Sequence, residues 1–514
     1  MPGPSARDGD QQQGLPGSSA RDGNRQQSMP EPGARYGNEQ GTPGTVTRNG
    51  EKQPSRRDTD DSRIRAKLPI LTPYFYRKFP IRPPVQGCAY TGALMVATQV
   101  TDAVTISHGP RSCAHMNRHY LYSGAHRALT RYRVALPEKL DPALVSTDLD
   151  ENAMVHGGGE RLTETLRQVL TGRPPAAFVV TTCPAGLIGD ELAGAIARAQ
   201  PVSPETRVIP MEVDGNLTGG YSEGWLEACR RIATDLIDPA RRPEDDAVNL
   251  IGESNYGHTE HNYRRMEELL GALDVRVNTR FIQRATVSSL QGFCRGGFNL
   301  LAHGGFANRR LADFLTERFG AVFAEETLPI GFDKTRRWLR EIAGYFGRAK
   351  TIESATERVI AGLEREYRAG VDGMRDSLRG KRLMLLVSYE TDVDWILETA
   401  FDCGMEVVRL AVMRLDGESD PRTRYADRVD TCFGYRPEQQ IADIRQLKPD
   451  LLVSSFTRQG LPPLTRYDTF PTVPVVGPQA NLELARRWRR LLRAPLEEGW
   501  KRDGRMMAGA VSQG

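Results

Sequence analysis

The sequence predicts an α/β fold: three parallel-sheet units in series, behind a disordered N-terminal extension. Three observations carry this. Apolar runs of about four to eight residues alternate with helical patterns of about ten to fifteen over most of the chain. The runs are apolar on both faces, as strands covered by helices on both sides must be. The first 65 residues are rich in Pro, Gly, Gln and Arg, and large aliphatic residues are nearly absent.

At 514 residues one core is too few, and several domains are expected. Residues 1–65 carry an imperfect repeat, PGPSARDGDQQQ, PGSSARDGNRQQ and PGARYGNEQ. Such a segment cannot bury enough apolar area to offset its chain entropy, so it reads as a disordered tail. The first unit spans 66–243 and includes the strands AAFVVTTC (176–183) and RVIPMEV (207–213). The second spans 244–350: AVNLIG, the helix YRRMEELLGAL, the strand DVRVNTRF, then FNLLAH and the helix RRLADFLTERFG. Residues 351–380 read as a charged linking helix. The third unit, 381–492, has the strand KRLMLLVSY, the helix WILETAFDCG, the strand MEVVRLAV and the closing runs QQIADIRQLKPDLLVSSF and TVPVVGP. Residues 493–514 form a C-terminal tail. In open parallel sheets ligands sit at the carboxyl ends of strands, so a site shared among the units is expected there.

The net charge of +4, from 69 basic and 65 acidic residues, gives no case for nucleic acid or a membrane surface. No run of about 18 apolar residues indicates a membrane span. The N-terminus has no apolar core of a secretory signal, so the expected compartment is cytoplasmic. The seven cysteines then point to packing, metal ligation or catalysis, not to disulfides.

Cys88 in PPVQGCAYTGA, Cys113 in ISHGPRSC and Cys183 in TTCPAGLIGDEL share a context: each sits in a loop at the end of an element. Helix N-termini stabilise thiolate charge, and thiolates in such loops suit iron–sulfur ligation. The spacing matches no CxxC finger or ferredoxin run, and buried cysteines often serve as small hydrophobes. Cys229, Cys403 and Cys432 read as structural. Cys294 is ambiguous, with packing favoured. Cys113 is open to three readings: a packed thiol, a nucleophile or a metal ligand.

Taken in order, QGCAYTGA, ISHGPRSC and TTCPAGLIGDEL resemble the three cysteine motifs of nitrogenase component 1 chains. STDLDENAMVHGGGERL, VNLIGESN, LGALDVRVN and LPIGFDKTRRWLREIA resemble further segments of that family, and the likeness covers residues 80–490. The resemblance implies three doubly wound, Rossmann-like domains. It also implies a homologous component 1 chain as partner in a heterodimer that pairs into a heterotetramer, with an ATP-dependent iron protein as electron donor. Cys88, Cys113 and Cys183 would ligate an iron–sulfur cluster, 4Fe–4S or larger and P-cluster-type, at the interface between the two chains. Gly87 and Gly186 would let the backbone approach that cluster, and Gly109 and Pro110 would aim the Cys113 loop. His108 would act behind the cluster as a donor or packing group. His115 and His119, four apart, read as a surface or interface face.

The chain departs from the catalytic α chains of that family. Where they carry a cofactor-binding cysteine, it reads NLLAHGGFANRRLADFLTERFG, with His303 and two glycines; no histidine follows His303. Three readings of His303 stay open: a replacement ligand, a donor to an organic substrate, or a turn residue. Arg295 and Arg309, among glycines, are candidates for an anion-tolerant cavity. The resemblance thus implies a nitrogenase-like oxidoreductase subunit, relaying electrons to a substrate or to a second metallocluster. The alternative is a cofactor-assembly scaffold. A third reading is an α/β protein that binds a small molecule.

Overall fold

The computed structural model describes residues 87–118, 143–216, 218–253, 259–347, 350–388, 391–413, 423–435, 439–454, 465–470 and 474–494, all in one compact unit, Leu68–Gly514. The expected N-terminal tail, nearly all of the C-terminal one, and His119 lie outside these residues.

The first sheet builds the end of the molecule that carries the cysteines. Helix α1 (Ala89–Ala97) precedes β1 (Val104–His108), and α2 follows over 111–118. β2 (Leu144–Ser146) leads into α3 (Glu151–His156) and α4 (Gly159–Thr171). β3 (Ala176–Thr181) leads into α5 (Cys183–Ile188) and α6 (Leu192–Ala199), and β4 (Arg207–Met211) into α7 (Tyr221–Leu236). The strands are parallel in the order β2-β1-β3-β4. In α4, Leu162, Leu166 and Leu170 recur every fourth residue and bury their side chains against Ile106 and Val179. On the other face Phe178, Val180 and Ile209 pack against α1 and α7. Those two helices touch backbone to backbone. A Cβ on Gly92 would overlap the Tyr221 carbonyl oxygen, and one on Gly224 the Ala89 carbonyl oxygen.

From β1 the chain crosses to β2 on one side and returns to β3 on the other. The carboxyl ends of β1 and β3 therefore open a crevice at the point where strand order reverses.

The second sheet has β5 (Ala247–Ile251), α8 (Thr259–Gly271), β6 (Arg276–Phe281), α9 (Val287–Gln291), β7 (Phe298–Leu301), α10 (Phe306–Phe319) and α11 (Phe332–Phe346), with strand order β6-β5-β7. Central β5 is buried throughout. Its polar Asn249 is satisfied by Asn299 Oδ1 at 2.8 Å and the Phe293 carbonyl at 3.0 Å. The run AVFAEETLPIGF adds no strand and makes two isolated bridges, Phe323 to Asn299 and Ile330 to Gly477.

The expected linking helix is α12 (Lys350–Leu378), 29 residues long. The third sheet follows: β8 (Arg382–Ser388), α13 (Asp394–Asp402), β9 (Glu406–Met413), β10 (Thr431–Phe433), α14 (Gln439–Leu447), β11 (Leu451–Ser454), β12 (Tyr467–Thr469) and α15 (Gln479–Arg493), in the order β10-β9-β8-β11-β12. Cys432 lies in edge strand β10. The described part of TVPVVGP, from Pro474 on, forms no strand; Gly477 makes a single bridge to Ile330. The second and third sheets share one core, in which Trp338, Trp488 and Tyr367 are fully buried.

Glu398 of α13 ties the two sheets together. Its carboxylate accepts the Phe332 and Asp333 N–H groups at the start of α11, at 3.1 and 2.8 Å, and Asn481 Nδ2 of α15 at 3.0 Å. Burial pushes its pKa from 4.5 up to about 7. A raised carboxyl pKa contributes stability that is fully present below the unfolded value and is lost as pH rises through the folded one. Between pH 4.5 and 8 the unfolding free energy of wild type should therefore fall relative to Glu398→Gln, by up to about 3 kcal/mol at about 1.4 kcal/mol per unit. Denaturant unfolding of both proteins at the two pH values measures this. A constant difference would show that Glu398 does not titrate in this way.

No helix among the described residues is long and apolar enough to cross a membrane.

Candidate functional site

The three motif cysteines come together at the carboxyl end of the first sheet. Cys113 follows β1 through the Gly109–Pro110 turn and enters α2. Its N–H donates to the Pro110 carbonyl at 3.2 Å, and Asn117 Nδ2 donates to the Cys113 carbonyl at 2.9 Å. Cys183 is the first residue of α5, directly after β3, with Pro184 behind it. β1 and β3 are paired neighbours, so both loops rise from the crevice. Cys88 is the N-cap of α1, bridges to Gly220 before α7, and lies 3.6 Å from Thr91 Oγ1 through its sulfur.

Gly215, in the loop after β4, joins Cys88 to Cys183. Its N–H donates to Cys183 Sγ at 3.2 Å. A Cβ placed on Gly215 would lie 2.9 Å from Cys88 Cβ and 3.3 Å from Cys183 Sγ. Electrostatics joins the third thiol. Burial, then the neighbouring Cys183 and Cys88 thiols, push the Cys113 thiol up from its ordinary value, while a hydrogen bond from Ser112 opposes the shift. Buried Tyr90 feels both Cys113 and Cys88, and its hydroxyl donates to Ser107 Oγ at 2.8 Å. All seven cysteines are free thiols.

Three cysteine thiols gathered at one loop junction are a donor set that iron–sulfur ligation can use. Among the described residues no three His, Cys, Asp or Glu side chains converge on a single ion. Three mutually repelling thiolates need nearby positive charge, which iron supplies. In iron–sulfur clusters each protein thiolate takes its own iron, so the sulfurs surround the group instead of meeting at a point. Two of the thiols stand at helix N-termini and one accepts a backbone N–H, both of which stabilise anionic sulfur.

His108 is fully buried and both ring nitrogens are engaged: Nδ1 lies 3.1 Å from Thr147 Oγ1 and Nε2 3.0 Å from Asp190 Oδ2. The imidazole is thus held between Thr147 and Asp190. Burial lowers its pKa against the opposing pull of Asp190, which keeps the ring neutral. Gly87 has φ 109°, a left-handed conformation that favours glycine. Gly186 makes room for a carboxylate: a Cβ there would lie 2.7 Å from Asp214 Oδ2. His115 is exposed.

The remaining candidates stand apart from the cysteines. His303 follows β7 on the second sheet; burial and then Lys334 push its pKa down. Lys334 lines a cavity of about 170 Å³ with Arg337, Arg424, Asp392 and Glu398. Arg309 is not among the residues that line the cavity at Arg295. That cavity has a volume of about 410 Å³ and is also lined by Arg241 and Arg276, and Arg309 turns back onto the Gly304 carbonyl. Cys229 and Cys403 are buried core residues, and Cys294 lies in a short 3-10 turn. Sequence reasoning missed Gly215, Tyr90, Thr147 and Asp190. Tyr90, Thr147 and Asp190 lay inside quoted motifs, QGCAYTGA, STDLDENAMVHGGGERL and GLIGDEL, and Gly215 lay outside them.

Residues 88–493 match the family model for nitrogenase component 1 type oxidoreductase. The chain belongs to the nitrogenase component 1 family. Curated relatives of this component 1 chain include the nitrogenase iron-molybdenum cofactor biosynthesis protein NifE of Methanococcus maripaludis, 27% identical over 72% of this chain and 74% of that protein. They also include the nitrogenase molybdenum-iron protein alpha chain of Acidithiobacillus ferridurans, 26% identical over 74% of this chain and 78% of that one. A solved structure, nitrogenase Cp1 at pH 5, superposes with a TM-score of 0.61 at 18% identity, covering 81% of this chain and 90% of that one. That likeness shows the shared fold. The family match begins at Cys88 itself, the first of the three cysteines.

Proposed function

We propose that this component 1 chain is one subunit of a nitrogenase-like oxidoreductase, in which Cys88, Cys113 and Cys183 hold an iron–sulfur cluster, 4Fe–4S or larger, at an interface with a homologous chain. The observation that carries this reading is the Gly215 junction, where Cys88 and Cys183 pack around one backbone glycine while Cys113 feels the charge of both. The cluster supplies one-electron storage. The chain's own part is to fix three thiolates, donate the Gly215 N–H to one of them, and close the inner side of the site with buried Tyr90. Three thiols leave ligands to be supplied by a partner. The surface beside the site suits one: Met116 of α2, Val155 of α3 and Leu187 of α5 are 71%, 71% and 69% exposed. An ATP-dependent iron protein fits as electron donor, in the cytoplasm, where reducing conditions keep thiols free. His303 is the candidate for contact with the substrate or a second metallocluster.

A cofactor-assembly scaffold is the second reading, favoured by the NifE relatives. Anaerobic co-purification with the homologous chain tests both. The complex should carry about four to eight irons per heterodimer. Cys113→Ala should lose most of them while the chain stays folded; wild-type complex without iron would sink the cluster reading. Turnover of an added substrate, coupled to ATP hydrolysis by the iron protein, marks the oxidoreductase. Its absence in an iron-loaded complex marks the scaffold.

A further inference from the structure

One residue grips both ends of the helix that begins with Cys183. The backbone carbonyl of His108 accepts the Thr182 N–H at 3.0 Å and the Thr182 hydroxyl at 3.0 Å, just before Cys183. Its imidazole reaches past the other end of α5 to Asp190, where left-handed Gly189 has stopped the helix. Asp190 is itself fixed, because both its oxygens accept the Gly158 N–H at the start of α4, at 2.8 and 3.0 Å. On the other ring nitrogen, Thr147 at the end of β2 also accepts the Gly109 N–H at 3.0 Å, in the turn that leads to Cys113. The packing leaves no slack. A Cβ on Gly109 would overlap Thr182, and one on Gly158 would lie 2.8 Å from Asp190 Oδ2 and 3.0 Å from the His108 ring.

We propose that His108 and Asp190 are positioning residues that lock the Cys113 turn and the Cys183 helix into one rigid unit, fixing the distance between those two thiols. A carboxylate requires a donor, so Nε2 carries the proton toward Asp190 and Nδ1 accepts the Thr147 hydroxyl. The chain of bonds runs from the Gly109 N–H through Thr147, His108 and Asp190 to the Gly158 N–H. It closes over the loops of β1, β2 and β3 at once. Charge-assisted bonds of this kind hold geometry more firmly than neutral ones. Neither side chain touches the thiols, so their effect passes through the backbone of the two loops. The inference rests on the cluster reading for its consequence, but its structural half does not.

The test has two arms. In the first, amide hydrogen exchange is followed on the full chain, iron-free, for His108→Leu and Asp190→Asn. Peptides covering residues 107–113 and 181–190 should exchange about tenfold faster, the effect of losing one charge-assisted hydrogen bond. Peptides from α12 should not change. Thr147→Val should speed only 107–113, and it decides the matter should His108→Leu also loosen α12. His108→Gln, which keeps an N–H directed at Asp190, should fall nearer wild type than His108→Leu. In the second arm the iron-loaded complex of Asp190→Asn should show a changed electron paramagnetic resonance spectrum and a shifted midpoint potential at unchanged iron content. Wild-type exchange in both peptides, or a His108→Gln chain as loose as His108→Leu, overturns the brace. A spectrum and potential superposable on wild type overturn its control of thiol spacing. If wild-type complex binds no iron, the cluster reading falls, and the exchange arm still decides the brace.

Discussion

Gly224→Ala should cost the chain about 3 kcal/mol or more of stability, enough to lower its soluble yield sharply. Alanine is the better helix former by about 1 kcal/mol, so propensity alone predicts the opposite sign. Packing wins because the new methyl would overlap the Ala89 carbonyl across the α1–α7 contact. A methyl driven against backbone forces the two helices apart, and overpacking in a tight core costs about 1–3 kcal/mol even where side chains can yield. Here no side chain is available to yield. Gly92→Ala should act alike from the other helix, where Tyr221 O is the obstacle. Because Cys88 caps α1 and bridges to Gly220 ahead of α7, separating the helices also carries that thiol away from its neighbours. Thermal unfolding of the purified variants is the measurement, and a Gly224→Ala chain melting with wild type would refute the account.

Gly215→Ala should leave the fold nearly intact and empty the site. The added methyl would stand 2.9 Å from Cys88 Cβ and 3.3 Å from Cys183 Sγ, in the space around which both cysteines pack. A flexible side chain could turn away, but Cys88 is fixed at its helix cap and Cys183 by the hydrogen bond from Gly215 itself. The expected result is at least about a fivefold fall in bound iron, with a stability loss of only about 1 kcal/mol. Iron analysis beside a melting curve separates the two quantities. Full iron content in this variant would mean that the thiols do not work from the positions seen here.

The site was partly legible because its three thiols lie in short loops after apolar strands or ahead of helices, and those elements announce themselves by period. Convergence was not legible. Nothing in the chain order states that Gly215 would slot between Cys88 and Cys183, because that contact exists only once β4 lies beside β3. Edge strands β2, β10 and β12 escaped for another reason: each is three residues long, too short to display alternation. Gly186 was read as clearance for a cluster, and the structure fills that clearance with the Asp214 carboxylate. His108 was read as a donor or packing group behind a cluster; its partners Thr147 and Asp190 come from two other loops, which its own motif does not announce.

The common core of the second and third sheets sets a rule for building hybrids between this chain and its relatives. Trp338 comes from α11 and Trp488 from α15, and both are sealed by side chains drawn from either sheet. Grafting the third sheet alone would mate two surfaces that were never fitted to each other. A cut ahead of β5 meets the same obstacle, because Ile251, Phe281 and Leu311 share a second core with Val96, Ile209 and Ile232 of the first unit, so that junction must be refitted as well.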